Sequence, residues 1–278
     1  STTTTTQPDT CTCGEVNRDN RIIYGEETEA QEYPWMTALV ATGKNRSFCG
    51  GSLINDRWVL TAAHCLAGLY GVSGVENIEV LLSEHSFVEV DGEERYGVSQ
   101  VIMHPDYNTY PWYNGFDFGL VELATPVDFS SSLARPICLP VNDTELYNSV
   151  MAIVTGWGQL EPGKPVTDVL MEVTIQTITN QQCQQSLYGQ SGYNILHSMI
   201  CAGTPYGHGG CMGDSGGPVI TLAPYKTQKY YEQIGVVSFG SAYCNYYGVY
   251  ARITAALEWI RSIAENGTAI ICVPPLQI

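Results

Sequence analysis

The stretch Gly209-Gly210-Cys211-Met212-Gly213-Asp214-Ser215-Gly216-Gly217-Pro218 surrounds one serine with small residues and closes on a proline that cannot continue a strand ladder. Glycine lets backbone N–H groups turn inward with no Cβ in the way. A site that presents a nucleophilic hydroxyl and aims main-chain donors at a developing oxyanion needs that freedom. Taken alone, the same run reads as a glycine-rich surface loop. What decides between the two lies elsewhere in the chain.

With 278 residues the chain is long enough for one large domain or two small ones with a real core. Its 44% hydrophobic and 14% charged residues make it globular rather than disordered. No apolar run is long enough to span a membrane as a helix. The opening Ser1 to Gln7 is polar and Thr-rich, as expected of a secreted, extracellular chain whose signal has been removed. Lys plus Arg number 12 against 28 Asp plus Glu, and the net charge of −16 argues against nucleic acid and anionic membrane as partners. The acidity serves solubility and disfavours acidic substrates. Ten cysteines form an even set without zinc-finger spacing, because Cys11-x-Cys13 is too close and no second pair completes a tetrahedral site. Disulfides in an oxidising compartment account for them better. Three sequons, at Asn45, Asn142 and Asn266, agree with secretion and mark the chain as a candidate glycoprotein.

Residues 1–21 read as a separate segment that ends at Arg21, and apolar character starts at Ile22-Ile23. Beyond it, runs at 33–40, 52–60, 78–82, 96–103, 118–123, 149–155, 169–178, 218–222, 233–239 and 248–253 read as strands, with Gly, Asn, Pro and Asp between them. Many short strands at such spacing indicate an all-β sandwich or barrel. They fall into two groups that part near Pro126 to Pro140, which fits two barrels over 22–133 and 134–253. Thr254 is expected to cap a C-terminal helix over 254–266, with Leu257, Ile260, Ile263 and Ala264 on one face. Residues 267–278, with Cys272 and a Pro-Pro pair, read as an extended tail.

Three motifs lie far apart in the chain. Thr61-Ala62-Ala63-His64-Cys65 follows a strand, Asp117 begins Asp117-Phe118-Gly119-Leu120-Val121 at the entrance to another, and Ser215 sits in the opening stretch. A serine hydroxyl is a poor nucleophile near neutral pH and needs a base, for which histidine is suited. The imidazole in turn needs a buried carboxylate to fix its tautomer. Singly, each of these residues reads as structural. Together with Cys49-Gly50-Gly51-Ser52-Leu53-Ile54, Trp58-Val59-Leu60-Thr61, Thr155-Gly156-Trp157-Gly158 and Gly248-Val249-Tyr250-Ala251-Arg252 they resemble the chymotrypsin-like (trypsin-fold) serine proteases, over roughly Arg21 to Ala264.

The resemblance implies two antiparallel six-stranded β-barrels with the active site in the cleft between them, and a C-terminal α-helix. It makes His64 the general base and then acid, Asp117 its orienting group and Ser215 the nucleophile. The N–H groups of Gly213 and Ser215 become the oxyanion hole, worth about 3–4 kcal/mol per donor in the barrier. Ser238 matches the segment that pairs with substrate backbone as an added strand, and Phe239 stands where the family usually has Trp. Gly209, six residues before the nucleophile, is the pocket floor, where a trypsin has Asp. With no carboxylate to pair a Lys or Arg, and with Gly240 and Gly248 as walls and Met212 at the rim, the pocket suits large apolar residues. Tyr246 and Tyr247, inserted before Gly248, are the feature that would narrow it toward elastase-like preference. A protease-fold binding module without catalysis is the reading from another class.

Arg21-Ile22-Ile23-Tyr24-Gly25 resembles the zymogen cleavage site, with Tyr24 in place of the usual Gly. The family's logic has a trypsin-like protease cut after Arg21, after which the new Ile22 amine buries against Asp214 and orders the pocket. The uncleaved chain is therefore expected to hold its triad beside an unfinished oxyanion hole. The resemblance pairs Cys49 with Cys65, Cys183 with Cys201 and Cys211 with Cys244. For the other four, Cys13–Cys138 with Cys11–Cys272 is expected, with the swapped pairing as the alternative; either tethers the pro-segment. The loop from Glu84 to Glu94 resembles the family's calcium loop, with Glu84 and Glu94 as carboxylate ligands, Asp91 through water and the carbonyls of Ser86 and Glu89. A solvated acidic hairpin is the other reading. No cofactor is required for the chemistry. Expected partners are polypeptide substrates, an activating trypsin-like protease and protein protease inhibitors, with the chain itself a monomer.

Overall fold

The structure is a computed structural model that describes residues 12–17, 26–68, 70–72, 74–108, 115–203, 211–223, 230–241, 244, 246–265 and 270–272. After the short β1 (Glu26–Glu27), six strands follow: β2 (Met36–Ala41), β3 (Ser47–Leu53), β4 (Trp58–Thr61), β5 (Ile78–Leu82), β6 (Glu94–Met103) and β7 (Gly119–Leu123). They close into one antiparallel barrel in the order β2-β3-β4-β7-β6-β5. A second set comprises β8 (Met151–Gly156), β9 (Met171–Ile178), β10 (Met199–Ala202), β11 (Pro218–Leu222), β12 (Tyr231–Phe239) and β13 (Gly248–Arg252). Their order is β9-β10-β13-β12-β11-β8, and the β8–β9 pairing closes the ring. The expected pair of six-stranded barrels is therefore present. β1 pairs with β9, so a strand that precedes the first barrel is sewn onto the second.

Alternating and near-continuous apolar runs fill both interiors. Trp35, Leu39, Leu53, Leu60, Leu81 and Leu120 are buried in the first, Val219 and Tyr250 in the second. Each such side chain is worth about 1.5–3 kcal/mol of burial. The barrels are thus rigid platforms, and the loops between them carry the polar chemistry.

Three expectations need correction. The run 52–60 is not one strand but the junction of β3 and β4. Asn55 makes the turn, its Oδ1 accepting from the Arg57 and Trp58 N–H groups at 2.9 and 2.8 Å while its Nδ2 donates to the Ala264 carbonyl. Short helices α1 (Ala63–Leu66), α2 (Asn180–Gln184) and α3 (Leu187–Gln190) interrupt the strands, and α2 starts on a Thr179–Gln182 capping box that the strand pattern hides. The C-terminal helix α4 (Ile253–Ala264) buries Leu257, Ile260 and Ala264 as expected, but Arg252 is its N-cap. Thr254 does not cap it; its hydroxyl donates to the Glu145 carbonyl at 3.1 Å.

Candidate active site

α1 begins right after β4 and presents His64, while Asp117 lies at the entrance to β7, the neighbour of β4. Adjacent strands thereby bring two residues 53 apart into contact. The His64 backbone N–H donates to Asp117 Oδ1 at 2.9 Å, and His64 Nδ1 lies 2.7 Å from Asp117 Oδ2. A third donor comes from the second barrel: Ser238 Oγ donates to Asp117 Oδ2 at 2.6 Å. Asp117 is only 4% exposed. Burial by itself would push its carboxyl up, but His64 and the Ser238 hydroxyl outweigh it and hold the group below the usual carboxylate range. With Nδ1 engaged by a carboxylate, Nε2 is the ring position left for a reacting proton. The Cys49–Cys65 disulfide lies directly beside His64 and fixes α1 to β3.

Ser215 sits between two glycines with positive φ, 105° at Gly213 and 81° at Gly216. Both positions are also crowded. A Cβ on Gly213 would come within 2.8 Å of Gly158 Cα, and one on Gly216 within 2.3 Å of Thr61 Oγ1. Only glycine meets both conditions. The two barrels hold this turn jointly: the Gly50 N–H donates to the Ser215 carbonyl at 2.8 Å, and the Gly216 N–H to the Val237 carbonyl at 2.9 Å.

Asp214, next to the serine, points the other way. Its Oδ1 accepts from the Gly158 N–H and its Oδ2 from the Cys211 N–H, each at 2.8 Å. Removal from water pushes this carboxyl up to about 6, against those two hydrogen bonds. The partner foreseen for it, Ile22, lies outside the described residues, as do Arg21 and the floor residue Gly209.

Beside Ser215 a cavity of about 240 Å³ opens, lined by Met212, Val237, Ser238, Phe239, Gly240 and Gly248 among others, with no charged side chain among its described lining. A cavity of about 150 Å³ already takes a benzene ring. A Cβ on Gly248 would meet the Tyr250 hydroxyl at 2.5 Å, so that wall stays bare. Tyr246 and Tyr247 do not narrow the space. They pack edge to face on each other, Tyr246 against Tyr188, and the Tyr188 hydroxyl donates to the Tyr247 carbonyl.

Disulfides between described residues join Cys13 to Cys138, Cys49 to Cys65, Cys183 to Cys201 and Cys211 to Cys244. The first docks the segment around Gly14 on the second barrel, where the Gly14 N–H donates to the Pro136 carbonyl and its carbonyl accepts from Tyr231. Cys272 is also disulfide-bonded, and Cys11 lies outside the described residues. In the acidic loop, Asp91 Oδ2 accepts from the His85 and Ser86 N–H groups at 3.2 and 2.7 Å. Asp91 Oδ1 and Glu84 Oε1 are buried without a protein partner. Burial, with the Asp91 and Glu93 charges, pushes Glu84 up to about 7. These are two of the five ligands expected there, and among the described residues no group of three His, Cys, Asp or Glu in this loop gathers closely enough to hold a metal ion. Glu94 instead takes the Ser132 hydroxyl at 2.5 Å and the Tyr96 hydroxyl at 3.1 Å, and the Ser86 carbonyl takes the Glu89 N–H at 3.2 Å. Of the sequons, Asn45 and Asn142 are exposed; Asn266 lies outside the described residues.

One residue at this site, Tyr70, escaped the sequence reading, and Ser238, expected to face substrate, has a second contact. Ser238 contacts Asp117 as well as lining the cavity. Tyr70 places its hydroxyl 3.4 Å from Ser215 Oγ. The only signal for Tyr70 was its position between Gly68 and Gly71, soon after His64.

Two closed barrels, a carboxylate-bound histidine and a serine on a glycine turn define a serine peptidase of the double-barrel class. A family model described as Trypsin matches residues 22–260. Among curated relatives, the clotting factor G beta subunit of Tachypleus tridentatus is 34% identical over 87% of this chain and 79% of its own length. The CLIP domain-containing serine protease B15 of Anopheles gambiae is 32% identical over 91% and 72%. The serine protease filzig of Drosophila melanogaster is 38% identical over 88% of this chain but only 14% of its own length. The chain belongs to the trypsin family of serine peptidases. No helix among the described residues is long and apolar enough to cross a membrane.

Proposed function

We propose that this chain is a secreted serine endopeptidase, activated by cleavage after Arg21, that cuts peptide bonds after large apolar or aromatic residues. The observation that carries the reading is Asp117, which binds both the backbone and the ring of His64 from a buried position. His64 Nε2 takes the Ser215 proton as Oγ attacks the scissile carbonyl, forming a tetrahedral oxyanion that the N–H groups of Gly213 and Ser215 receive. His64 then gives that proton to the leaving amine, and water repeats the sequence on the acyl-enzyme. Asp117 stays ionised throughout and stabilises the imidazolium. The described lining of the cavity is uncharged, which supports an apolar preference, since a buried unpaired Lys or Arg is costly there.

Arg21 followed by Ile22 supports activation by a trypsin-like protease, and the Cys13–Cys138 bond keeps the pro-segment attached after the cut. The names of the clotting factor and CLIP-domain relatives support a place in extracellular proteolysis, with polypeptide substrates and protein inhibitors as partners. Glu84 and Asp91 would hold a structural calcium ion, which braces the loop and takes no part in the chemistry.

The test is a panel of peptide anilides ending in Phe, Leu, Ala or Arg, offered to the chain after cleavage at Arg21. Hydrolysis strongest for Phe and Leu is expected. Preference for Arg would refute the apolar pocket, and preference for Ala would make the enzyme elastase-like.

A further inference from the structure

Tyr70 stands against the nucleophile, and no step of the mechanism uses it. It is carried on a tight turn in which the Gly71 N–H donates to the Gly68 carbonyl at 3.1 Å. Both glycines are left-handed, with φ of 76° and 74°, a region that side chains with a Cβ avoid. The Tyr70 ring lies 6.0 Å from the Phe48 ring and 6.2 Å from the His64 ring, centroid to centroid. Its hydroxyl donates toward Ser215 Oγ at 3.4 Å. The residue remains 45% exposed, so a bound peptide can touch it.

The cavity beside Ser215 is built from the second barrel and its loops, and neither Phe48 nor Tyr70 lines it. With the acyl side of a substrate in that cavity, the leaving side of the peptide faces the Phe48–Tyr70 pair on the first barrel. In a near-attack arrangement the reacting atoms stand about 3–3.5 Å apart. The Tyr70 hydroxyl occupies that same shell around Oγ. The residue just after the scissile bond therefore passes against the Tyr70 ring, which packs beside the Phe48 and His64 rings.

We propose that Tyr70, braced by Phe48, is a specificity-determining residue that restricts the first residue after the scissile bond to small side chains. The inference rests on the hydrolysis proposed for Ser215. A fixed aromatic wall discriminates by size, and a single methylene misfit is worth about tenfold or more in kcat/KM.

Quenched fluorescent peptides that differ only in that residue, Gly, Ala, Leu or Phe, test it on the cleaved protein, with Ser215 first titrated by a fluorophosphonate. The wild type should favour Gly and Ala over Leu and Phe by about tenfold or more in kcat/KM. Tyr70→Ala should bring the ratio to within about twofold of unity. Phe48→Ala, a second variant that removes the brace, should move it the same way. Tyr70→Phe should keep the discrimination, because the ring and not the hydroxyl forms the wall. A flat wild-type profile, an unaltered ratio in Tyr70→Ala, or a change confined to residues before the scissile bond overturns the assignment. Failure of Ser215 to take the fluorophosphonate would sink the hydrolysis reading, and this inference with it.

Discussion

Asp214 Oδ1 accepts the Gly158 N–H at 2.8 Å, and a Cβ built on Gly158 would lie 2.5 Å from that same oxygen. The nucleophile turn is therefore seated on a glycine that has no room to become anything else. Gly158→Ala should push Asp214 and the adjacent Ser215 out of register. Because misplacement by about 1 Å can cost 10²-fold, kcat/KM for a Phe anilide should fall by about that factor. Wild-type turnover in the variant would show that the seat is not needed.

Activation should follow the same carboxylate. With two backbone donors, Asp214 stands near 6. A protonated Ile22 amine beside it would pull the carboxyl down and be raised itself above the usual α-amino range of about 8. The contribution of the pair is present while the amine is charged and is lost as pH rises through its raised value. Cleaved wild type should thus lose activity in alkali, and Arg21→Gln should stay inert after trypsin treatment. Substrate hydrolysis by treated Arg21→Gln at the wild-type rate contradicts the switch.

A second buried acid gives a stability prediction. Glu232, on β12, is 1% exposed and has an unpartnered Oε1. Burial pushes it from 4.5 to about 7, with the Glu145 charge adding and a Tyr147 hydrogen bond opposing. The folded protein holds this proton more tightly than the unfolded chain. Stability from this group is therefore full at low pH, falls as pH rises from about 4.5 to about 7, and is level above. Glu232→Gln should remove that slope and stabilise the protein at pH 8 by roughly 3 kcal/mol. A denaturant midpoint at pH 8 no higher than wild type would contradict it.

Calcium should act on the acidic loop. If a cation neutralises Glu84 and Asp91, millimolar calcium raises Tm, EDTA lowers it, and Glu84→Gln abolishes the difference. An unchanged Tm under EDTA and calcium would leave the loop as an acidic hairpin whose buried Glu84 is held above the usual carboxylate range by burial and its acidic neighbours.

The two-barrel plan was legible because strand runs are periodic and the site motifs are local. His64, Asp117 and Ser215 each sit in a short recognisable segment, and the structure joins the first two through adjacent strands. What stayed hidden depends on tertiary placement. Ser238 reaches Asp117 from the other barrel across 121 residues, and Tyr70 reaches Ser215 across 145. Thr254 has the side chain of a helix cap, yet a nearby carbonyl of Glu145 claims its hydroxyl. Tyr246 and Tyr247 could be expected to fill the cavity, but Tyr246 packs edge to face on both Tyr188 and Tyr247, and the Tyr188 hydroxyl holds the Tyr247 carbonyl. Local pattern specifies the elements; the competition for partners between distant elements is settled only in the fold.

The central claim, that His64 oriented by Asp117 activates Ser215, is tested most directly by the rate at which a fluorophosphonate modifies Ser215, read by peptide mass. The chain cleaved after Arg21 should carry the adduct on Ser215, and His64→Ala should slow its formation by about 10²–10⁴-fold. A wild-type chain that takes no adduct, or one that reacts as fast without His64, would contradict the account.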